Sequence, residues 1–279
     1  MGGFRRAVRT WTRLALPERG CVLEPLHRIS SVAEYASALR SLGASGLQRP
    51  FWFRGHRDDS YRLSASALRS TKLAGNEGVM LKRFMQDARS FLVDAPSNDW
   101  EWLFLAQHHN VPTRLLDWSE NALVSLYFAC ETADTPLEGT TPPDGDVWVL
   151  LPTALNNAMN SWTGQHPEDL PMFGVDSTLE KYHPLPRTAI PGQEPRNPIA
   201  ALASRSFTRI ANQWGTFTIT DQMTALEDNP AADSFLRRLA VDSTAKADIL
   251  DELRSLGIEE RIIYPDLHRL GQRVKEIFQ

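Results

Sequence analysis

The chain has 279 residues, 42% hydrophobic and 23% charged, with a formal net charge of −4. That length supports a sizeable core without covalent staples, the composition is ordinary for a soluble globular protein, and the slightly acidic total gives a nucleic-acid binder no support beyond a local basic patch. Two cysteines, Cys21 and Cys130, argue against a disulfide framework and fit a reducing cytoplasm, and no stretch approaches the roughly 18 to 20 apolar residues that span a bilayer.

Residues 1–30 read as a basic N-terminal arm, with Arg5, Arg6, Arg9 and Arg13 ahead of any acid. The arm lacks the apolar stretch of a secretory signal. It is either a frayed arm or surface helix with Trp11 and Leu14 packed inward, or an arm for nucleic acid or an acidic partner. Ser31 and Glu34 form a capping box. Val32, Tyr35, Ala36 and Leu39 then repeat at helical spacing, with Gly43 as the stop. Phe51–Phe53 reads as a short buried strand ending at Arg54-Gly55. Met80, Phe84, Ala88, Phe91 and Leu92 mark a second amphipathic helix. Trp100 to His108 marks a third, closed by Pro112, because the residue before proline is pushed out of the α region.

Ser119 is placed to cap the next helix, whose buried face is Ala122, Leu123, Leu126, Tyr127 and Cys130. Residues 133–146 read as an exposed loop, and "VWVLL" (147–151) as a buried strand. Residues 163–198, rich in Pro, Gly and polar groups, read as a loop insertion or lid. Thr216–Thr220 alternates as a half-buried strand should. Lys246 to Leu256 reads as a helix with Gly257 at C′, "RIIYP" (261–265) as a strand, and Asp266 as the cap of a last helix. The expected fold class is α+β: a single mixed domain over 31–279, with helices packed on short, mostly antiparallel strands.

Three constellations carry candidate chemistry. In "FWFRGHRDDSYR", an arginine ends an aromatic strand and a glycine follows. Gly55 permits a sharp turn or a close approach, and the planar fork of Arg54 suits a phosphate or carboxylate. The structural alternative pairs Arg54 with a buried acid such as Asp117. His56 and Tyr61 are placed to line the same cleft. In "QHHNVPTRLLDW", one of the two histidines, His108 or His109, is a candidate general base or hydrogen-bond partner, and the other is structural or exposed. Adjacent histidines diverge by about 100° on a helix and do not share a metal easily. No spacing of a metal site occurs. Asp117, between Leu116 and Trp118, needs a cation, and Arg114 or Arg54 is the natural one. Thr113 offers a hydroxyl. In "RIANQWGTF", the Gln213 amide stands before a strand, where it can read a ribose hydroxyl or an amide. P-loop, dinucleotide-fold, hydrolase-elbow, kinase and zincin motifs are absent.

The segments "FWFRGH", "LAQHHNVPTRLLDWSENALVSLYFA", "RIANQWGTF" and "LGIEERIIYPDL" resemble, in this order, the motifs of the FRG domain. Asn110 stands where that pattern has glycine, and Ser119 where it has threonine. Both keep turn or capping chemistry. The resemblance implies a bacterial or phage-borne protein and no specific activity. The chain is also similar to ADP-ribosyltransferases: Phe53-Arg54-Gly55 at a first strand end, Pro112-Thr113-Arg114 leading to Tyr127-Phe128-Ala129, and Gln213 before Thr216-Phe217. That likeness implies an ADP-ribosyltransferase-like core and NAD as substrate, without metal. It places Arg54, Gly55, His56, Tyr61, Thr113 and Arg114 around the NAD, and Arg54, His108, Asp117 and Gln213 at the chemistry. Gln213 stands where such enzymes keep a glutamate, so Asp117 or His108 would assist the incoming nucleophile. The function implied is a cytoplasmic toxin or phage-defence effector modifying a nucleic acid or protein, with an antitoxin or another regulatory protein as partner and no membrane. The rival readings are a nucleic-acid-binding or metal-independent nuclease module using Arg54, His108 and Arg114 on phosphates, and a non-catalytic interaction domain.

Overall fold

Short runs of β-branched, aromatic and aliphatic residues build a sheet of seven strands among the described residues: β1 (His27–Ile29), β2 (Trp52–His56), β3 (Leu115–Ser119), β4 (Gly145–Leu150), β5 (Ile199–Ala201), β6 (Gly215–Ile219) and β7 (Leu236–Val241). The computed structural model describes residues 23–47, 49–131, 142–162, 166, 168–185, 195–205, 208–265, 271 and 274–275. The order across the sheet is β1-β7-β4-β2-β3-β6-β5. The β1–β7 pair is parallel and every other pair is antiparallel, so the sheet is mixed and mostly antiparallel. The helices are α1 (Val32–Ala44), α2 (Thr71–Ala88), α3 (Asp99–His108), α4 (Ala122–Cys130), α5 (Pro152–Asn160), α6 (Thr208–Asn212), α7 (Ala232–Phe235), α8 (Lys246–Ser255) and α9 (Glu260–Ile263). The fold class is therefore a single mixed α+β domain.

Directly paired residues of neighbouring strands share a face of the sheet, so the registers sort the core. On one face, Phe53, Val147, Val149, Leu239 and Val241 pack with α1, α4 and α8. Further along the same face, Leu115, Phe217 and Ile219 pack with α2 and α3. The opposite face carries Trp52, Leu116, Trp118, Trp148, Leu150 and Leu236 against α5 and α7. Two groups of helices thus sit side by side on one face, and the seam between them falls over β2 and β3.

The ends of α1 and α8 follow their capping chemistry. Ser31 Oγ accepts from Glu34 N at 3.2 Å, while the Glu34 carboxylate reaches back to Ser30 N at 2.8 Å. The helix runs through Gly43, and the stop falls at Gly46, whose φ of 85° suits a residue without Cβ. Gly257, at φ 82°, closes α8. Other expectations need correction. "RIIYP" is helical rather than extended: one turn, α9, is enough to bury Ile263. α2 ends at Ala88, and Phe91, expected on its inner face, is exposed. Asn121, not Ser119, caps α4, accepting from Leu123 N and Val124 N; Ser119 belongs to β3. Thr216–Ile219 is buried on both sides rather than half-buried. β3 and β7 were not expected as strands, because Asp117 interrupts the first and Arg237-Arg238 the second.

Several expectations fall partly or wholly outside the described residues: Cys21 and residues 1–22 of the basic arm, most of the 133–146 loop, residues 163–165, 167 and 186–194 of the insertion, and the helix after Asp266. The described part of the insertion contributes Leu170, Phe173, Leu179 and Tyr182 to the core. Among the described residues, no helix is long and apolar enough to cross a membrane.

The pairing of β4 with β7 encloses an ion pair, with Arg238 Nε 2.9 Å from Asp146 Oδ1 and Nη2 2.9 Å from Oδ2. Burial pushes the Asp146 carboxyl up to about 6, against the pull of Arg238. An acid with a raised folded-state pKa contributes stability that is fully present below the ordinary value of 3.8 and is lost as pH rises through about 6. Asp146→Asn should remove that slope. The stability advantage of wild type over the variant should fall by on the order of 3 kcal/mol across this window, read from urea unfolding at a series of pH values.

Candidate functional site

β2 and β3 share one registered pair, Phe53 with Ser119, and then diverge. In a continuous ladder the Asp117 carbonyl would find a main-chain donor on β2. Here it accepts instead from Arg54 Nη1 at 2.8 Å. The Arg54 guanidinium therefore stands in a split near the middle of the sheet. Its Nε donates to His56 Nε2 at 3.0 Å. Burial pulls the His56 imidazole down to about 2, helped by the charges of Arg54 and Arg69, so its ring is neutral and free to accept. Burial also lowers the Arg54 pKa; Asp117 opposes that shift and Arg69 adds to it. Nη2 of Arg54 has no hydrogen-bond partner among the described residues.

Gly55 follows because α4 lies directly on β2. A Cβ built there would fall 1.9 Å from the Ser125 carbonyl oxygen and 2.7 Å from Ala129 N. The next wall comes from the end of α3. Asn110 N donates to Gln107 O and Val111 N to Ala106 O, each at 2.9 Å, with Asn110 at φ 61°. This is a Schellman closure with asparagine in the left-handed position, which accounts for glycine or asparagine being suitable at 110. It ends the helix before Pro112 and leaves Gln107 and His108 facing β3. His108 and His109 diverge: His108 lines the cleft, while His109 borders an apolar groove beside α2.

Gln107 is the hub of the polar wall. Its Nε2 donates to Asp117 Oδ1, and its Oε1 accepts from Thr113 Oγ1. Asp117 Oδ2 lies 3.7 Å from Arg54 Nη1. The last wall is α6 and the start of β6, with Ile210, Gln213 and Phe217. Gln213 is held from behind, its side-chain Nε2 donating to Ile263 O at 2.8 Å and its main-chain carbonyl accepting from Ser119 Oγ at 2.6 Å. Together these groups enclose a cleft of about 270 Å³. The buried Ser125 hydroxyl lines it and has no hydrogen-bond partner among the described residues.

Of the residues singled out in the sequence, Arg54, Gly55, His108, Asp117 and Gln213 line this cleft. His56 lies buried behind Arg54, and Tyr61 packs edge-on against it with ring centroids 6.0 Å apart. Thr113 is buried and reaches the cleft only through Gln107. Arg114 is elsewhere: its Nε and backbone N donate to the buried Glu77 carboxylate at 2.6 and 2.7 Å. Asp117, expected to be buried, keeps 59% of its side chain exposed, because the strands part at that point. Gln107, Ser125, Phe128 and Phe217 were not singled out as site residues. The "QHHN" helix ending was the available signal for Gln107, and the motifs around Phe128 and Phe217 for those two; nothing local marked Ser125. Among the described residues, no group of three or more His, Cys, Asp or Glu is arranged to hold a metal ion.

Residues 49–137 match the family model of the FRG domain. That span supplies β2, α3, β3 and α4, and so three walls of the cleft, while the wall bearing Gln213 lies outside it. No curated protein and no solved structure matches the chain.

Proposed function

We propose, taking residues 49–137 as an FRG domain, that the cleft beside Arg54 is a nucleotide site that transfers an ADP-ribosyl group from NAD to a nucleic acid or protein, as a toxin or phage-defence effector would. The observation that carries this reading is convergence. Arg54, His108, Asp117 and Gln213, from four separate segments, line one cleft, with an unpartnered Ser125 hydroxyl among them. In this reading the mixed, mostly antiparallel sheet with its split central strands serves as an ADP-ribosyltransferase-like core. The cleft and a recess adjoining it at Arg54 together reach the size of small-molecule sites, about 300–1,000 Å³.

The chemistry suits these groups. Breaking the bond between ribose and nicotinamide sends its electron pair to the leaving nicotinamide and builds positive charge on the sugar. It calls for fixed charges and orientation more than for proton transfer. Asp117, already aligned by Gln107, supplies the negative charge and takes the proton from the attacking group of the target, with His108 beside it. Arg54 offers Nη2 to a phosphate oxygen, and Ser125 and Gln213 offer hydrogen bonds to sugar hydroxyls.

The test is incubation with labelled NAD and candidate RNA, DNA and protein targets, with NAD binding followed by calorimetry. Asp117→Asn keeps an acceptor for Gln107 on an exposed side chain. It should therefore hold stability within about 0.5 kcal/mol while slowing transfer about 100-fold or more. Absence of both transfer and NAD binding by the wild type would sink the reading. A non-catalytic reading has one observation in its favour: Nε and Nη1 of Arg54 are both engaged within the protein, so the arginine also straps the split. In that case Arg54→Ala and Asp117→Ala should both lower the melting temperature, and NAD should not bind.

A further inference from the structure

We infer that the recess on the far side of Arg54 is a pyrophosphate subsite, held by Arg54 and Arg69, that takes the diphosphate of a dinucleotide or nucleoside diphosphate. The inference deepens the reading of the cleft as a nucleotide site and rests on it for the identity of the ligand. It stands on its own geometry for the anion.

The recess has a volume of about 190 Å³ and is lined by Arg54, Ser64, Ser66, Arg69, Gln107 and Asp117 among others. It lies on the side of Arg54 that faces Ser64, Ser66 and Arg69. The cleft lies on the α4 face, beside Phe53, Gly55 and Ser119. Arg54, Gln107, Asn110 and Asp117 border both, so the two spaces meet at the split between β2 and β3. A ligand with a sugar on one side of Arg54 and a diphosphate on the other would follow this passage.

Two guanidiniums facing one recess repel each other unless an anion lies between them. Arg69 acts on Arg54 in that sense, lowering its pKa. The charge of Asp117 is turned toward Arg54 and held by Gln107. Arg69 has no carboxylate within ion-pair distance among the described residues. Arg69 is exposed, and its Nε and Nη2 both donate to the Ser64 carbonyl at 3.3 Å, which orients the guanidinium at the edge of the recess. The Ser64 hydroxyl has no hydrogen-bond partner among the described residues. Two guanidiniums and a spare hydroxyl form a donor set for phosphate oxygens.

The experiment is titration calorimetry of wild type, Arg69→Lys and Arg69→Gln with inorganic pyrophosphate, ADP-ribose and nicotinamide riboside, which carries no phosphate. Arg69→Gln should weaken pyrophosphate and ADP-ribose about tenfold or more. Arg69→Lys should weaken them less. Nicotinamide riboside binding and the melting temperature should not change. Equal pyrophosphate affinity in all three proteins, no pyrophosphate binding by wild type, or a matching loss for nicotinamide riboside would overturn the subsite. So would binding confined to single-stranded oligonucleotides. The two readings separate cleanly. Arg69-dependent pyrophosphate binding without NAD cleavage removes the transfer reaction and keeps the subsite. Label transfer with an unchanged KM for NAD in Arg69→Gln does the reverse.

Discussion

Gly55→Ala should cost about 3 kcal/mol or more and leave little folded protein at physiological temperature. The added methyl would lie 1.9 Å from the Ser125 carbonyl oxygen, 2.7 Å from Ala129 N and 2.9 Å from Phe128 Cβ. Two of these are backbone atoms, which cannot rotate away as a flexible side chain would. Relief requires lifting α4 off the sheet, and α4 buries Val124, Leu126, Ala129 and Cys130. Gly43→Ala is the control. It sits within α1 with nothing within 4 Å of a new Cβ, so it should be neutral or stabilise by up to about 1 kcal/mol. Urea unfolding followed by circular dichroism reads both variants. A Gly55→Ala protein as stable as wild type would mean that α4 is not seated on β2 as described. The glycine after Arg54 is thus needed for helix–sheet contact, whatever binds beside it.

The elements that could be read from the sequence were those whose signal is local. The Ser31–Glu34 cap, the apolar helices ending at His108 and Cys130, the "VWVLL" strand and the Gly257 stop each depend on neighbours within about one helical turn or one strand. The misread elements depend on distant partners. β7 is a strand despite Arg237 and Arg238, because Arg238 finds Asp146 on β4. β3 is a strand despite Asp117, because β2 parts from it there and leaves the carboxylate room in the cleft, more than half exposed and held by Gln107. "RIIYP" has β-branched residues suited to a strand. Its Ile262 and Ile263 carbonyls are taken instead by the amides of Asn212 and Gln213, which hold it as one turn over α6.

The candidate site was legible as residue types and less so as a network. Arg54, His108, Asp117 and Gln213 stood out because charged and amide groups beside apolar runs need a reason. Their partners did not follow from spacing. Arg54 and Arg114 were interchangeable candidates for Asp117 on paper. The choice is made by α2, which brings Glu77 to Arg114 from 37 residues away. Thr113, expected at the ligand, is one bond removed from it. Gln107 is the link, because the closure at Asn110 turns its amide toward both Thr113 and Asp117.

Glu77→Ala should destabilise by about 3–5 kcal/mol and loosen the cleft from a distance. The Glu77 side chain is 1% exposed and holds both the Arg114 guanidinium and the Arg114 backbone N–H at the entrance to β3. Burial raises its pKa, outweighing the pull of Arg114, so the pair is held by geometry in a poorly solvating place. Removing the acid strands Arg114 without a counter-charge and orphans a backbone donor, and each change carries its own cost. Thr113 is the next residue back; it orients Gln107, and Gln107 orients Asp117. Glu77→Gln, which retains an acceptor for the backbone N–H, should lose less than Glu77→Ala. The double variant Glu77→Leu with Arg114→Met, which removes both charges, should recover part of the deficit. Urea unfolding of wild type, Glu77→Leu, Arg114→Met and the double variant gives the coupling energy. If Glu77→Ala and the double variant are equally unstable, the loss lies in packing at α2 and not in the charge left behind on Arg114.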